Sequence, residues 1–316
     1  MNEYLKDLLA RMLDVSDKKT QPDGSKTISW KACRESEKLT NKDFIPQLIE
    51  IIDKEKDKEK RNKAYFILGK IAKNTNDLTA TKYLIGRINK EKDKNVLSTL
   101  LHRISDLYKP KDMNIQPIIN AINHNDSQVK SSAILALEHT DNPLAEDTLI
   151  DLLENPESTD SDLVFANAAL ANIGTKKSIS ILTKLVTHKK IDVAGSALNT
   201  IIKISDETCL PLCLEQLENG NNKSIALEGV VKYGNENVIP HIINRIKELV
   251  DRKRKRGTLL VVERKLMPEL VVGLEFLKKY AEKGEVESLF GFILTKKYDL
   301  LFDDEKEWLN NNISTV

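Results

Sequence analysis

Residues 52–58 read IDKEKDK, and INKEKDK returns at residues 88–94, thirty-six positions later. A charged run that recurs is either a polyampholyte surface or the punctuation of a repeated structure, and internal repeats decide more than any single motif. The last large apolar residue before each polar break serves as a ruler: Ile52, Ile88, Ile122, Leu153, Val186, Leu217 and Ile246, at intervals of 36, 34, 31, 33, 31 and 29. Each anchor closes a short amphipathic stretch such as FIPQLIEII, IQPIINAI, TLIDLL or VIPHIINRI. Pro46, Pro117, Pro211 and Pro240 recur near the start of these stretches. Proline in a first turn lacks only an N–H that would be unpaired anyway, so it marks a helix start.

A second stretch follows each anchor, with a small or apolar residue, a large one four later and another three after that. The triplets are Ala64/Leu68/Ile71, Leu97/Leu101/Ile104, Ala133/Leu137/Thr140, Ala166/Leu170/Ile173, Ala197/Ile201/Ile204, Ala226/Val230/Tyr233 and Leu270/Leu274/Leu277. Spacing of i, i+4, i+7 places all three on one helical face. Between the paired stretches stand Asp57, Asp93, Asp126, Asp160, Asp192 and Asn221, residue types that accept hydrogen bonds from a helix's first N–H groups and so read as N-caps. Gly174, Ser205 and Gly234 fall just past second stretches, where a helix ends in a tight turn.

The pairing of IPQLIEII and DKEKD with NKAYFILGKIA, and of TLIDLL with DLVFANAALANIG, resembles HEAT repeats. The resemblance covers residues 41–283 as seven units in register, and ANAALANIG at 166–174 is similar to the motif's second helix. The family's usual Arg at the start of the second helix is absent from most units, with Arg61 and Lys130 the nearest equivalents. The resemblance implies an all-α fold, a right-handed α-solenoid of about seven helical hairpins. Its organisation is expected as an N-terminal helical cap with a polar loop at 1–40, repeats at 41–283 and a C-terminal helical cap at 284–316. The physics agrees: one helix pair cannot bury its apolar faces alone, whereas stacked pairs share a core.

Composition is consistent with this. Forty per cent of the 316 residues are hydrophobic but only 5% aromatic, which makes a core of Leu, Ile, Val and Ala suited to close helix packing. Lys and Arg (49) nearly cancel Asp and Glu (48), so net charge exerts no global pull toward nucleic acid or anionic membrane. The apolar positions of MNEYLKDLLARMLDV are broken by Glu3, Lys6, Asp7 and Arg11, unlike a signal peptide, and no run approaches a membrane span. Three cysteines make no disulfide framework. The expectation is a cytoplasmic protein that does not enter a membrane, with its oligomeric state open.

Residues 2–14 and 29–38 read as an irregular first helix pair; VESLFGFIL and DDEKEWLNN read as closing helices, with Asp304 and Glu307 as a capping box. Trp30 and Trp308 fall in these end regions and are expected to be buried there. The seventh repeat is irregular. From anchor to second-helix centre the gaps are 16, 13, 15, 17, 15 and 13, then 28 from Ile246 to Leu274. The extra residues carry DRKRKRG and TLLVVERK before Pro268 restarts the helix, and residues 251–265 have a local charge of +5. Arg252, Lys253, Arg254, Lys255, Arg256, Arg264 and Lys265 are therefore the candidate partner-binding residues, as an arm for phosphate or an acidic partner. The alternative is a solvated loop answered by the acidic 303–307 end.

Catalytic chemistry finds little support in the residues. Cys209 and Cys213 share a face four residues apart, but no further ligands stand nearby for zinc, and two packed core thiols are the expectation. None of His102, His124, His139, His188 and His241 precedes a Glu, as the di-iron HEAT hydroxylases would require. The HEAT-like alkylpurine DNA glycosylases use concave-face aromatics, and both tryptophans lie outside the repeats. There is no phosphate-cradling glycine loop, no nucleophile elbow and no HExxH. The expected function is a non-catalytic protein- or peptide-binding scaffold without cofactor or metal, using the second helices along a concave surface. The alternatives are a nucleic-acid-associated protein using the basic insertion, and a lyase of the HEAT-like bilin-lyase kind.

Overall fold

In a computed structural model of the chain, the structure describes residues 2–313 apart from 18, 22, 252, 256, 263 and 264. The chain divides into two compact units, Met1–Ile181 and Leu182–Val316.

In the first unit, α1 (Glu3–Leu13) packs on α2 (Ile28–Ser36), the expected irregular first pair. Four hairpins follow: α3 (Phe44–Lys54) with α4 (Lys58–Thr75), α5 (Leu78–Arg87) with α6 (Lys94–Ser105), α7 (Gln116–Ala121) with α8 (Ser127–Leu135), and α9 (Pro143–Glu154) with α10 (Asp160–Ile173). The second helices pack in a row, α4 on α6, α6 on α8 and α8 on α10. Their triplet residues Ala64, Leu68, Ile71, Ala133, Ala166 and Leu170 are fully buried. The small first residue is what lets neighbouring helices approach.

Helix α11 (Ile179–Leu185) crosses the division between the units, and α12 (Ile191–Ile204) follows it. The second unit continues with α13 (Leu210–Asn219) and α14 (Lys223–Tyr233), then α15 (Ile239–Val250) and α16 (Glu269–Lys278), and closes with α17 (Gly284–Phe292) and α18 (Asp303–Asn312). All seven expected second helices are present. Proline sits in the first turns of α7, α9, α13 and α15, and Pro268 stands at the N-cap of α16.

The recurring charged run is the joint between hairpins. Asp57, Asp93 and Asp126 each accept two first-turn N–H groups of the helix they begin. The lysine after the first two reaches onward: Lys58 bonds Asp93 at 3.0 Å and Lys94 bonds Asp126 at 2.8 Å, with Lys130 on Asp162 at 2.6 Å. Arg61, at the position of the HEAT arginine, bonds through Nε and Nη2 to Glu91, whose side chain is only 2% exposed, at 3.1 and 2.9 Å. Each of the first three repeats is thus tied to the next.

Three of the six expected caps differ. Thr159 rather than Asp160 caps α10, in a reciprocal box with Asp162. Lys190 and Asn222 occupy the caps of α12 and α14 without side-chain capping bonds; Asp192 lies two residues inside the first and Asn221 one residue outside the second. At α18 the carboxylate that reaches back is Glu305, accepting from the Phe302 N–H at 3.0 Å, not Glu307. Gly174, Ser205 and Gly234 do end their helices; the chain then runs through a short 3-10 turn, and the N–H of its second residue donates to the side chain of Thr175, Asp206 or Asn235.

The third repeat is irregular for a specific reason. Helix α8 stops at Leu135, so Thr140 lies beyond it and donates its hydroxyl to the Lys109 carbonyl at 3.0 Å. Residues 109 and 140 form a parallel bridge, with Lys109 N–H on the His139 carbonyl at 2.8 Å. The Lys109 side chain is completely buried and its ammonium donates to the carbonyls of Ile104 (3.0 Å) and Leu107 (2.6 Å), just where α6 ends. A cation at a helix C-terminus meets the negative end of its dipole. Desolvation still dominates and lowers this lysine's pKa to about 7, against the pull of Glu138 and Asp106.

Candidate functional site

The basic insertion, in the second unit, is built rather than loose. Leu259–Val262 (β1) and Lys265–Pro268 (β2) pair antiparallel, with Leu259 opposite Pro268 and Leu260 opposite Met267. This hairpin replaces the loop expected from the sequence. It rests on α14 and α16 and buries Leu260, while Leu259 and Leu266 stay exposed.

Of the seven candidate residues, Arg252, Arg256 and Arg264 lie outside the described residues. Lys253, Lys255 and Lys265 are exposed. Arg254 points inward: its guanidinium takes the Glu305 carboxylate with both prongs, 2.8 and 2.5 Å, and lies 4.7 Å from the centre of the Phe302 ring. Glu305 is fully buried, so the acidic end does answer the insertion, at one point. Cys209 and Cys213 are buried core residues. Among the described residues, no three His, Cys, Asp or Glu side chains gather as a metal site.

A different surface emerges in the first unit, where α4 packs on α6 and the C-terminal end of α2, at Glu37, approaches both. Helix α4 turns the triplet Ala64/Leu68/Ile71 inward, which leaves Lys63, Phe66 and Lys70 half-buried on its other side. Gly69 brings α6 close: a Cβ there would stand 3.2 Å from the Arg103 Cβ. The Arg103 stem therefore lies along α4, and its guanidinium reaches 4.6 Å from the centre of the Phe66 ring. The Lys70 ammonium is 5.5 Å from the same ring. On α2, Trp30 is 42% exposed, not buried as expected, with Arg34 5.1 Å from its ring centre.

Charge pairing singles out Arg103. Arg11 bonds Glu35 and Asp7, Arg34 bonds Glu37, Arg61 bonds Glu91, Arg87 bonds Asp53, Arg245 bonds Glu269 and Arg254 bonds Glu305. Among the described arginines, Arg103 alone has neither a carboxylate nor a hydrogen-bond partner. The acidic groups in electrostatic reach, Asp106 and Glu37, are held by Lys73 at 3.0 Å and by Arg34 at 2.6 Å. Burial pushes the Arg103 pKa below its ordinary value. The arrangement offers a desolvated, planar, five-donor fork with its face on an aromatic ring.

Beside the Lys73–Asp106 pair opens a polar cavity of about 890 Å³ among the inter-helix turns, lined by Tyr108, His139, Asp141, Glu146 and Asn172. Its acidic groups are satisfied internally. The Tyr108 hydroxyl donates to Asp141, and Glu146 accepts from the Thr175 N–H and the Thr175 and Ser178 hydroxyls.

Sequence reasoning passed over Phe66, Lys70 and Arg103. One signal was there: the residue six past the start of the first six triplets reads Lys70, Arg103, His139, Asn172, Lys203 and Lys232, a column rich in cations that the seventh breaks with Phe276.

No family model matches the sequence, and no curated protein matches it. Among solved structures, Kap121p bound to Nup53p superposes with a TM-score of 0.57 at 14% identity, over 98% of this chain and 40% of that one. Kap121p bound to Ste12p gives 0.57 at 13% identity, and Kap121p bound to Pho4p 0.56 at 13%, with the same coverage. The chain spans about two fifths of the length of the Kap121p it matches. The fold is a HEAT-like, all-α solenoid.

Proposed function

We propose that this chain is a non-catalytic scaffold that takes a protein or peptide segment along the second helices of its first unit. The observation that carries the reading is the α4–α6 face, where Phe66 stands half-buried between Lys70 and Arg103 and Arg103 has no carboxylate or hydrogen-bond partner among the described residues. Aromatic and arginine side chains dominate the energetics of protein interfaces, because each brings large contact area at small entropic cost. Repeated hairpins supply the other requirement, a long pre-organised surface whose side chains choose the partner. Kap121p, which shares the fold, is bound in its crystal structures to Nup53p, Ste12p and Pho4p.

Selection of random phage-displayed peptides on the immobilised chain tests the reading. Peptides that bind the native chain and lose affinity for Phe66→Ala support it. Failure to select any binder, or binders indifferent to Phe66→Ala, would overturn it.

A further inference from the structure

We infer that the segment this face takes is acidic, seating a carboxylate on the Arg103 guanidinium with Lys70 and Lys63 close by. The inference rests on the scaffold reading above and names its partner's chemistry.

Arg103 is held ready for a ligand that the protein itself withholds. The two native carboxylates within electrostatic reach are each bound to another cation, Asp106 to Lys73 and Glu37 to Arg34. The guanidinium carbon lies 4.6 Å from the centre of the Phe66 ring, and no carboxylate or hydrogen-bond acceptor of the described residues takes its N–H groups. A guanidinium edge matches the geometry of a carboxylate, two parallel N–H···O bonds to one planar group. Lys70 and Lys63 make no ion pair either, and Lys70 shares only the field of Asp106, which Lys73 already holds, so the stripe of α4 adds positive potential beside Arg103. Because Arg103 is already partly desolvated, an incoming carboxylate pairs in a lower dielectric than it would at an open surface, where such pairs count for little.

A nucleic-acid backbone is the other anion to weigh. Three cations outside ion pairs are few for a chain of phosphates, and Asp106 and Glu37 border the patch at the ends of α6 and α2. An isolated carboxylate fits between those two; a continuous polyanion meets them. This charge pattern therefore favours a peptide bearing one or two acidic residues beside an apolar one that reaches Phe66.

The phage-selected peptides decide the matter. They should be enriched in Asp and Glu, and a selected peptide remade with Asn and Gln in their place should bind the native chain about thirty-fold more weakly, the size of an interface hot spot. Arg103→Gln should show a similar loss toward the acidic peptide and little further loss toward its neutral twin. Should Arg103→Gln melt well below the native chain, Lys70→Gln takes its place, with a several-fold loss expected. Selected peptides that are neutral or basic, or that bind Arg103→Gln and Lys70→Gln as tightly as the native chain, overturn the carboxylate while leaving the scaffold reading in place. Oligo(dT) binding more tightly than any selected peptide overturns it in favour of phosphate. Failure to select any peptide removes the scaffold reading and this inference together.

Discussion

Arg254 and Glu305, fifty-one residues apart, form a two-pronged ion pair in which the carboxylate is fully buried and the guanidinium side chain only 12% exposed. It fastens the inserted segment to the closing helix α18. Removing one partner strands the other charge in the interior, which typically costs about 3–5 kcal/mol, whereas replacing both with apolar groups is often neutral. Glu305→Gln and Arg254→Met should each lower the urea midpoint by that order, and the double variant Arg254→Met/Glu305→Leu should recover most of it. Additive losses in the double variant would show that the two residues act separately.

The buried Lys109 makes a pH prediction with a definite sign. Its native pKa is lowered to about 7, while an unfolded lysine titrates at about 10.4. Between those values the unfolded chain binds more protons than the native one, so stability rises with pH, by at most about 1.4 kcal/mol per pH unit. Below pH 7 both states are protonated and the contribution is flat. Lys109→Met should remove this rise. The measurement is the difference between native and variant unfolding free energies across roughly pH 7 to 10, in which other titrating groups cancel. Parallel curves would mean the ammonium is not the group responsible.

Gly229 on α14 is a steric lock on α13. An added Cβ would stand 2.5 Å from the Cys213 sulfur and 3.0 Å from Ile202 Cδ1. Overpacking of this kind costs about 1–3 kcal/mol. Gly229→Ala should therefore lower the melting temperature, and adding Cys213→Ala should restore part of it. A double-mutant cycle showing no coupling would place the strain on Ile202 instead.

Ala166 and Ala197 are both fully buried at the start of their triplets. Ala166→Leu and Ala197→Leu should each cost about 1–3 kcal/mol in urea unfolding. Unchanged midpoints would show that these helices have room the structure does not suggest.

The helices were legible in the sequence because triplet spacing is a local property that burial then enforces; six of the seven second helices contain their whole triplet, and α8 ends before Leu137 and Thr140. Caps were half legible. Asp57, Asp93 and Asp126 start helices, but at α10 Thr159 takes the cap from Asp160 through its reciprocal box with Asp162. The hairpin at 259–268 was missed because four-residue strands carry too few side chains for a period to show. The candidate face was hidden for a different reason. Phe66 and Arg103 are thirty-seven residues apart, and only the approach at Gly69 makes them neighbours. Lys109 was equally opaque: nothing in a sequence says that a lysine will be walled in.

The links from Lys58 to Asp93, Lys94 to Asp126 and Lys130 to Asp162 all run in the same direction, each donor on the earlier repeat and each acceptor on the later one. Every interior repeat of that stretch carries both halves of the coupling. A hairpin duplicated within this row would arrive with an acceptor for its predecessor and a donor for its successor, so both new junctions would be complementary at birth. Such an array can change length by copying itself, without any compensating substitution in its neighbours.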